Sequence, residues 1–163
     1  MPRLAAVIVS VVTVATGLGA QQPALLRVGG SVAQPLALSV SDFGSMRHQE
    51  VSVEQPDQYG IFGGVALIDI LSRAGVASGA DLDDKDLTKI VLVTGANGQR
   101  AAFALAELDR GATDRVILVA DSKDGKPLPR DAAPYQLVAP GEKRPGRWVR
   151  QIIAIDVFDL GSQ

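Results

Sequence analysis

The sequence predicts a single β-rich domain with a few short helices. Turn-forming residues recur at short intervals along the 163 residues, and the segments between them are mostly short runs of Val, Ile, Leu and Ala. One domain is the expectation for this length. Hydrophobic residues make up 47% of the chain and aromatic residues only 4%, so we expect an aliphatic core.

The first twenty residues have the pattern of a secretory signal peptide. A single cation, Arg3, precedes an apolar run from Leu4 to Ala15, and small residues follow up to Ala20. We therefore expect a signal peptide over 1–20 and one domain over 21–163, periplasmic or secreted, without a membrane span after cleavage. An uncleaved anchor is the alternative, since the uncharged run is only slightly shorter than the roughly 20 residues of a spanning helix. The segment contains no Arg-Arg pair, so it gives no support to twin-arginine export of a folded protein.

The first part of the domain contains the signals of a capped helix and a hairpin. Ser39 and Asp42 have the spacing of a capping box, which predicts a short helix ending near Met46. Polar and apolar residues alternate over 50–55, and a second strand-like run over 58–62 follows a Pro-Asp turn. The two runs predict a β-hairpin.

The clearest helix and the most β-prone run follow. The apolar residues at helical spacing are Leu67, Ile70, Leu71 and Ala74. They predict a helix over 65–74 with Gly75 as its C-terminal cap. Residues 89–94 predict a strand, whereas 100–108 fit either a strand followed by a short helix or one continuous helix.

The last third predicts strands and loops. Residues 116–120 form an aliphatic strand pattern, and Asp124-Gly125 is a tight-turn pair. Five prolines between 127 and 145 exclude a helix there. A period of two over 148–158 predicts a closing strand, in which one face carries Ile153, Ile155 and Val157.

Charge and residue usage exclude several function classes. The chain has 16 Lys and Arg against 18 Asp and Glu and no basic stripe, so no nucleic-acid partner is expected. The lack of cysteine and a single histidine, His48, exclude disulfides, thiolate chemistry and zinc sites built from Cys and His. His48 has no nucleophile elbow to serve and is expected to be a solvated residue at a strand end. The acidic run 81–86 lacks the glycine and the ligand spacing of a calcium loop, so no metal site is predicted. No catalytic residue is predicted either.

Residues 91–101 imitate a dinucleotide-binding turn, with Gly95, Gly98 and Ala101 at the small positions and Asp121 near the place of a ribose-binding acid. The remaining chain is too short and too rich in Pro and Gly to supply the missing βαβ units. The alternative, which we favour, is a hairpin closed by Asn97-Gly98. An enzyme that binds NAD(H) or NADP(H) stays as a minor alternative.

A basic loop near the C-terminus is the best candidate for anion binding. Its cations are Lys143, Arg144, Arg147 and Arg150, and Gly141 and Gly146 open its backbone. Such a loop can hold a phosphate or carboxylate. A solvated loop with unpaired cations is the competing interpretation.

A series of segments resembles, in order and spacing, the motifs of one known family. They are Gly64–Leu71, Thr94–Ala101, Ala104–Leu108, Asp124–Pro129, Leu137–Gly141 and Arg147–Arg150. From about Leu25 to Val157 the chain resembles the molybdopterin-binding domain of the sulfite oxidase family, especially its short exported members. The resemblance implies an α+β fold of mainly antiparallel mixed sheets with short helices. It also implies molybdopterin as the family cofactor and oxidoreductase chemistry.

Two departures from the family pattern bear on function. Family enzymes bind molybdenum through a cysteine thiolate, and this sequence has no cysteine. In the segment from Ala132 to Gln136, Gln136 stands where the family has a cofactor-binding arginine, so a neutral contact replaces a charged one. A signal without twin arginines further implies export of the empty, unfolded chain.

We therefore expect an exported domain that has lost molybdenum catalysis and binds an anionic ligand or a protein partner in the inherited cofactor cleft. No bound cofactor is expected, although the resemblance leaves molybdopterin open. The alternative is a molybdopterin oxidoreductase with a non-cysteine ligand or a partner subunit. The candidate binding residues are Asn97, Arg100, Gln136, Lys143, Arg144, Arg147 and Arg150.

Overall fold

The computed structural model describes residues 25–55, 58–143 and 145–161. The expected signal peptide over 1–20 and the candidate residue Arg144 lie outside this part of the chain. The helices are α1 (Val40–Gly44) and α2 (Leu67–Arg73). The strands are β1 (Leu26–Gly30), β2 (Leu36–Leu38), β3 (Gln49–Gln55), β4 (Gln58–Ala66), β5 (Lys89–Gly95), β6 (Arg100–Ala104), β7 (Leu118–Lys123), β8 (Lys126–Pro127), β9 (Gln136–Val138) and β10 (Ile152–Asp159).

The strands form two five-stranded sheets. Sheet A has the order β2-β1-β10-β5-β6, and sheet B has the order β3-β4-β7-β8 with β9 also paired to β7. β1 and β10 are parallel, and the other pairs are antiparallel. The fold is therefore α+β with mainly antiparallel sheets and short helices, as the sequence predicted.

One cluster of buried side chains connects the two sheets and α2. Val91 and Val93 of β5 are fully buried, as are Leu118 of β7 and Leu67 and Leu71 of α2. Complete burial of such a side chain contributes roughly 1.5–3 kcal/mol. The expected aliphatic core holds the sheets together and fixes the loops at their ends.

The two helices agree with prediction in kind and differ in extent. At α1 the capping box is present, since the Asp42 amide donates to Ser39 Oγ over 3.1 Å and the Ser39 amide donates to Asp42 Oδ2 over 2.9 Å. The predicted start of the second helix at residue 65 is wrong. Val65 and Ala66 pair with β7 as the end of β4, so α2 begins at Leu67. Sheet pairing overrides the helical periodicity here.

The hairpin predictions are confirmed. β3 and β4 pair antiparallel, and so do β5 and β6 around Gly98, which has a φ of 82°. This antiparallel hairpin is incompatible with the strand-turn-helix context of a dinucleotide site, so that interpretation of residues 91–101 is wrong.

Residues 100–108 are a strand followed by a 3-10 helix, Leu105–Leu108. Asp124 and Gly125 turn the chain between β7 and β8 with φ values of 51° and 69°.

The predicted face of the closing strand is partly wrong. Ile155 and Val157 are fully buried, but Ile153 is 40% exposed. A register shift between Ile152 and Ala154 places one extra residue in β10, and the side chains before it change faces. The predicted strand over 116–120 lies further along, at Leu118–Lys123.

None of the helices in the described residues has the length and apolar character needed to cross a membrane.

Candidate functional site

A polar cleft lies where the two sheets meet. It consists of two cavities, of about 170 and 290 Å³, that share Gln58 and Arg150 as lining residues. Sheet B contributes Phe62 of β4, Lys123 of β7 and Gln136 of β9, whereas the β5–β6 hairpin contributes Asn97 and Gln99. We refer to the two cavities together as the Arg150 cleft.

The β5–β6 hairpin holds the backbone of Arg150 at close range. A Cβ atom added at Gly95 would collide with the Arg150 carbonyl oxygen, so glycine is required at this contact. Gln99 accepts from the Arg150 amide over 3.3 Å and donates to the Trp148 carbonyl over 3.4 Å. Asn97 in turn accepts from the Gln99 amide over 2.9 Å. The hairpin thereby positions Arg150 at the mouth of the cleft.

Gln151, next to Arg150, has a backbone conformation that is rare for a residue with a side chain. Its φ is 50°. The Gln151 amide donates to the Ala132 carbonyl over 3.1 Å, and its Nε2 donates to the Arg130 carbonyl over 3.3 Å. A left-handed non-glycine residue costs of order 1–3 kcal/mol, and surrounding contacts must maintain it. These bonds tie the Arg150 segment to the loop that carries Asp131.

The cleft has an excess of positive charge. Arg150 Nη1 lies 2.6 Å from Asp131 Oδ2, and both side chains are well exposed. Lys123 has no ion pair within residues 25–55, 58–143 and 145–161, and its Nζ lies 5.2 Å from the centre of the Phe62 ring. Two cations therefore face one carboxylate. An incoming anion gains from both cations.

Aromatic side chains close the inner end of the cleft. Phe62 and Trp148 pack edge to face with ring centres 5.6 Å apart. Trp148 is 2% exposed, and its indole Nε1 is buried without a hydrogen-bond partner among the described residues. A buried donor without a partner is costly and is uncommon in folded proteins.

Arg147 is held outside the cleft by carboxylates. Its Nη2 lies 3.2 Å from Glu107 Oε2, and its Nε lies 3.7 Å from Glu142 Oε1. Arg115 binds the same two carboxylates, each over 2.9 Å, and the Arg147 guanidinium lies 3.8 Å above the Phe103 ring. This cluster of two cations and two anions neutralises the charge of Arg147.

The structure brings together only some of the candidate binding residues. Asn97, Gln136 and Arg150 line the Arg150 cleft. Arg100 and Lys143 are exposed and line neither of its cavities, and Arg147 belongs to the carboxylate cluster. Two further lining residues, Lys123 and Gln58, were not predicted, and they lie on strands of sheet B distant in the chain. The register that pairs Phe62 with Lys123 places this lysine at the cleft, and no local motif carries that information.

His48 is more constrained than the expected solvated histidine. Its Nε2 lies 3.0 Å from Asp121 Oδ2, and its Nδ1 lies 2.9 Å from the Met46 carbonyl oxygen. Both ring nitrogens face oxygen acceptors, and His48 lines neither cavity of the cleft. Asp121, the residue placed near a ribose in the dinucleotide interpretation, is this histidine's partner.

The fold is similar to that of the sulfane dehydrogenase SoxCD from Paracoccus pantotrophus. The TM-score is 0.64, with 20% sequence identity over 83% of this chain. The chain spans 38% of the length of that chain. The likeness supports the α+β fold of mainly antiparallel sheets that the sequence predicted. No protein-family profile matches the chain, and no curated protein matches it significantly.

The donor set differs from the one that molybdopterin with a thiolate-bound metal requires. The sequence has no cysteine, and no group of three or more His, Asp or Glu side chains within the described residues could hold a metal ion. Arg147, in the segment that resembles a family motif, is neutralised by Glu107 and Glu142. Gln136 stands where the resemblance implies an arginine. These residues do not fit a thiolate-bound molybdenum centre.

Proposed function

We propose that this chain is a binding domain without catalytic activity of its own, and that it takes an anionic group in the Arg150 cleft. The group is a carboxylate or oxyanion, carried by a small molecule or by a segment of a protein partner. We further propose that residues 1–20 direct the chain out of the cytoplasm, so that the domain meets its ligand in the periplasm or outside the cell.

The observation that carries this proposal is that Lys123 and Arg150 line one cavity. Both cations line the same cavity of about 170 Å³, and Asp131 is the one carboxylate among its lining residues. Arginine binds carboxylates and oxyanions through two parallel hydrogen bonds, and lysine adds a point charge. An anion between them would also compete with Asp131 for the guanidinium of Arg150.

The uncharged lining supports binding with a defined orientation. Gln58, Gln99 and Gln136 place amide groups around the cations, and each amide can both donate and accept. Neither cavity is lined by a histidine or by a nucleophile with an adjacent base. The lining therefore supports recognition, whereas acid-base or covalent catalysis would need groups that the cleft does not present.

Titration calorimetry with three defined probes tests the proposal. Sulfate, inorganic phosphate and succinate are titrated into the full chain at low ionic strength, because salt screens exposed charges. We expect at least one probe to bind. The double variant Lys123→Gln/Arg150→Gln should bind that probe with an affinity lower by about tenfold or more. The control is Arg73→Gln, which removes an exposed cation of α2 that lines neither cavity.

Two outcomes would contradict the proposal. One is affinity that the double variant leaves unchanged, since the anion would then bind elsewhere. The other is the absence of heat with all three probes together with unchanged thermal unfolding, because a ligand that binds the folded state must stabilise it.

The fold similarity to a sulfane dehydrogenase favours one second candidate, a molybdopterin-dependent oxidoreductase completed by a non-cysteine ligand or a partner subunit. Elemental analysis of molybdenum per chain, on protein from a bacterium able to make the cofactor, separates the candidates. A fluorescence assay of released pterin on the same sample completes the measurement. Near-stoichiometric metal would replace our proposal with this candidate, and the absence of both metal and pterin would remove it.

A further inference from the structure

The outer face of sheet A is unusually apolar where the described residues leave it exposed. Val91 and Val93 of β5 point into the core, so Ile90 and Leu92 point the opposite way. The residues paired with them on β6 are Ala104 and Ala102, and both are exposed. An antiparallel sheet with one face in water normally alternates apolar and polar residues. Here the alternation fails over β5 and β6.

Four of the large apolar side chains that are exposed in the described residues lie on or beside two strands of this sheet. Eight such side chains occur in the described residues, and Leu25, Ile153, Phe158 and Leu160 lie within or next to β1 and β10. Phe158 is 47% exposed and pairs with Ile90, while the bulge in β10 turns Ile153 outward. Contiguous apolar surface of this kind marks an interaction site more often than scattered exposed residues do.

A groove lies beside these protruding side chains. Its volume is about 320 Å³, and Gly29, Leu36 and Ala37 form its apolar wall. Gly29 has no side chain to fill the space, and an added Cβ atom would lie 3.3 Å from Asp156 Oδ1. Arg27 and Asp156 line the same groove. The face therefore carries both protruding and receding apolar surface.

We propose that the outer face of sheet A is the interface of a symmetric homodimer of this chain. Arg27 and Asp156 are diagonal neighbours, since Arg27 pairs with Ala154 and Gly29 pairs with Asp156. Neither forms an ion pair within the described residues. A twofold axis in the plane of the interface, midway between the two side chains, places each Arg27 opposite the Asp156 of the other copy. Opposite charges in neighbouring positions make this face complementary to itself.

The size of the face is compatible with such a dimer. Five strands about 4.8 Å apart and roughly 20 Å long cover about 500 Å² in projection. Side-chain relief raises the accessible area of this surface toward the roughly 800 Å² per partner of a standard interface. The expected dimer is therefore of moderate stability, and its assembly depends on concentration.

Sedimentation velocity over a range of concentrations tests the proposal with a charge-reversal cycle on the full chain. We expect a monomer-dimer equilibrium, and we expect Arg27→Asp and Asp156→Arg each to raise the dimer Kd about tenfold or more. The double variant Arg27→Asp/Asp156→Arg should recover most of the affinity, because it restores opposite charges across the axis. Phe158→Ser should also weaken the dimer, and it tests the apolar part independently.

Leu87→Ser is the matched control, since Leu87 is 54% exposed on a 3-10 helix outside sheet A. It should leave the Kd unchanged, and circular dichroism should show that every variant remains folded. A chain that stays monomeric up to about 200 μM overturns the proposal. A dimer whose Kd is unchanged by both single charge reversals and by Phe158→Ser also overturns the proposal. The same holds for a monomer that binds phospholipid vesicles in a sedimentation assay and loses this binding in Phe158→Ser.

Discussion

His48 and Asp121 form a hydrogen bond that connects the start of β3 to β7 across β4. His48 Nε2 lies 3.0 Å from Asp121 Oδ2, while Nδ1 lies 2.9 Å from the Met46 carbonyl oxygen. A neutral imidazole has only one N–H and can satisfy only one of these acceptors. The arrangement therefore favours the imidazolium form, in which Nδ1–H donates to Met46 and Nε2–H donates to Asp121.

Stability should fall as the pH rises above the ordinary pKa of histidine. Burial alone would lower the pKa of His48, but the hydrogen bonds to Met46 and Asp121 and the Asp121 charge outweigh burial and raise the pKa above 6.5. Because the folded state holds the proton more tightly, this contribution is fully present below pH 6.5 and is lost as the pH rises through the folded pKa. The thermal midpoint of His48→Gln should lack this pH dependence.

The chain has a single histidine, so its ring protons give an unambiguous NMR titration. We expect a midpoint above 6.5 in the folded protein and a lower one in Asp121→Asn. A titration midpoint at or below 6.5 in the wild type would show that the imidazolium is not favoured. If the thermal midpoints of the wild type and of His48→Gln changed equally with pH, another group would govern the pH dependence of stability.

Tyr135→Phe should stabilise the protein. Tyr135 is 2% exposed, and its hydroxyl is buried without a hydrogen-bond partner among the described residues. Removing an unsatisfied buried hydroxyl relieves a desolvation cost of about 1–3 kcal/mol, while the ring contact with Phe43, at 4.5 Å between centres, is retained. Urea unfolding measures the change. A destabilisation of about 1 kcal/mol or more would mean that the hydroxyl has a bonding partner.

The phenol of Tyr135 should also ionise at a higher pH than that of an exposed tyrosine. Burial and the nearby charges of Asp121 and Asp42 raise the pKa of its phenol above the ordinary 10.0. Ultraviolet titration should show one of the two tyrosines ionising only at strongly alkaline pH, and that component should be missing in Tyr135→Phe. Tyr59, which is 72% exposed, is the internal comparison.

Much of the fold was accessible from the sequence because its signals are local. The capping box at Ser39 and Asp42 and the Asn97-Gly98 turn act within a few residues, and both predictions are confirmed. The start of α2 depends instead on the pairing of Val65 with Val119. The exposure of Ile153 depends on a bulge in β10 that the alternation of apolar residues does not indicate.

The candidate site was less accessible because charge neutralisation is a tertiary property. Arg147 and Arg150 look equivalent in the sequence. In the structure, Glu107 and Glu142 neutralise Arg147, whereas Arg150 lines the cleft. Glu107 lies 40 positions from Arg147. Lys123 reaches the cleft through the registers of sheet B, so no spacing along the chain indicated it.

Glu107→Gln should destabilise the protein and leave the Arg150 cleft unchanged. Its Oε2 binds both Arg115 and Arg147, and its Oε1 accepts from the Ala104 amide over 3.0 Å. The side chains of Glu107, Arg115 and Arg147 are each about a third exposed, so we expect a loss of only about 1 kcal/mol. Urea unfolding provides the value. If anion affinity also changed tenfold, the cluster would be part of the binding site.

The glycines of the β5–β6 hairpin should respond differently to substitution. Gly98 has a φ of 82° and open space around an added Cβ atom, so Gly98→Ala should cost about 1 kcal/mol through backbone strain alone. At Gly95 an added Cβ would collide with the Arg150 carbonyl oxygen, which is backbone and must shift. Gly95→Ala should therefore cost more than Gly98→Ala and should also weaken anion binding, because it moves Arg150. Urea unfolding and calorimetry with the same anion measure the two effects. Equal losses of stability with unchanged anion affinity in both variants would show that the close approach of Gly95 to Arg150 does not position the cleft.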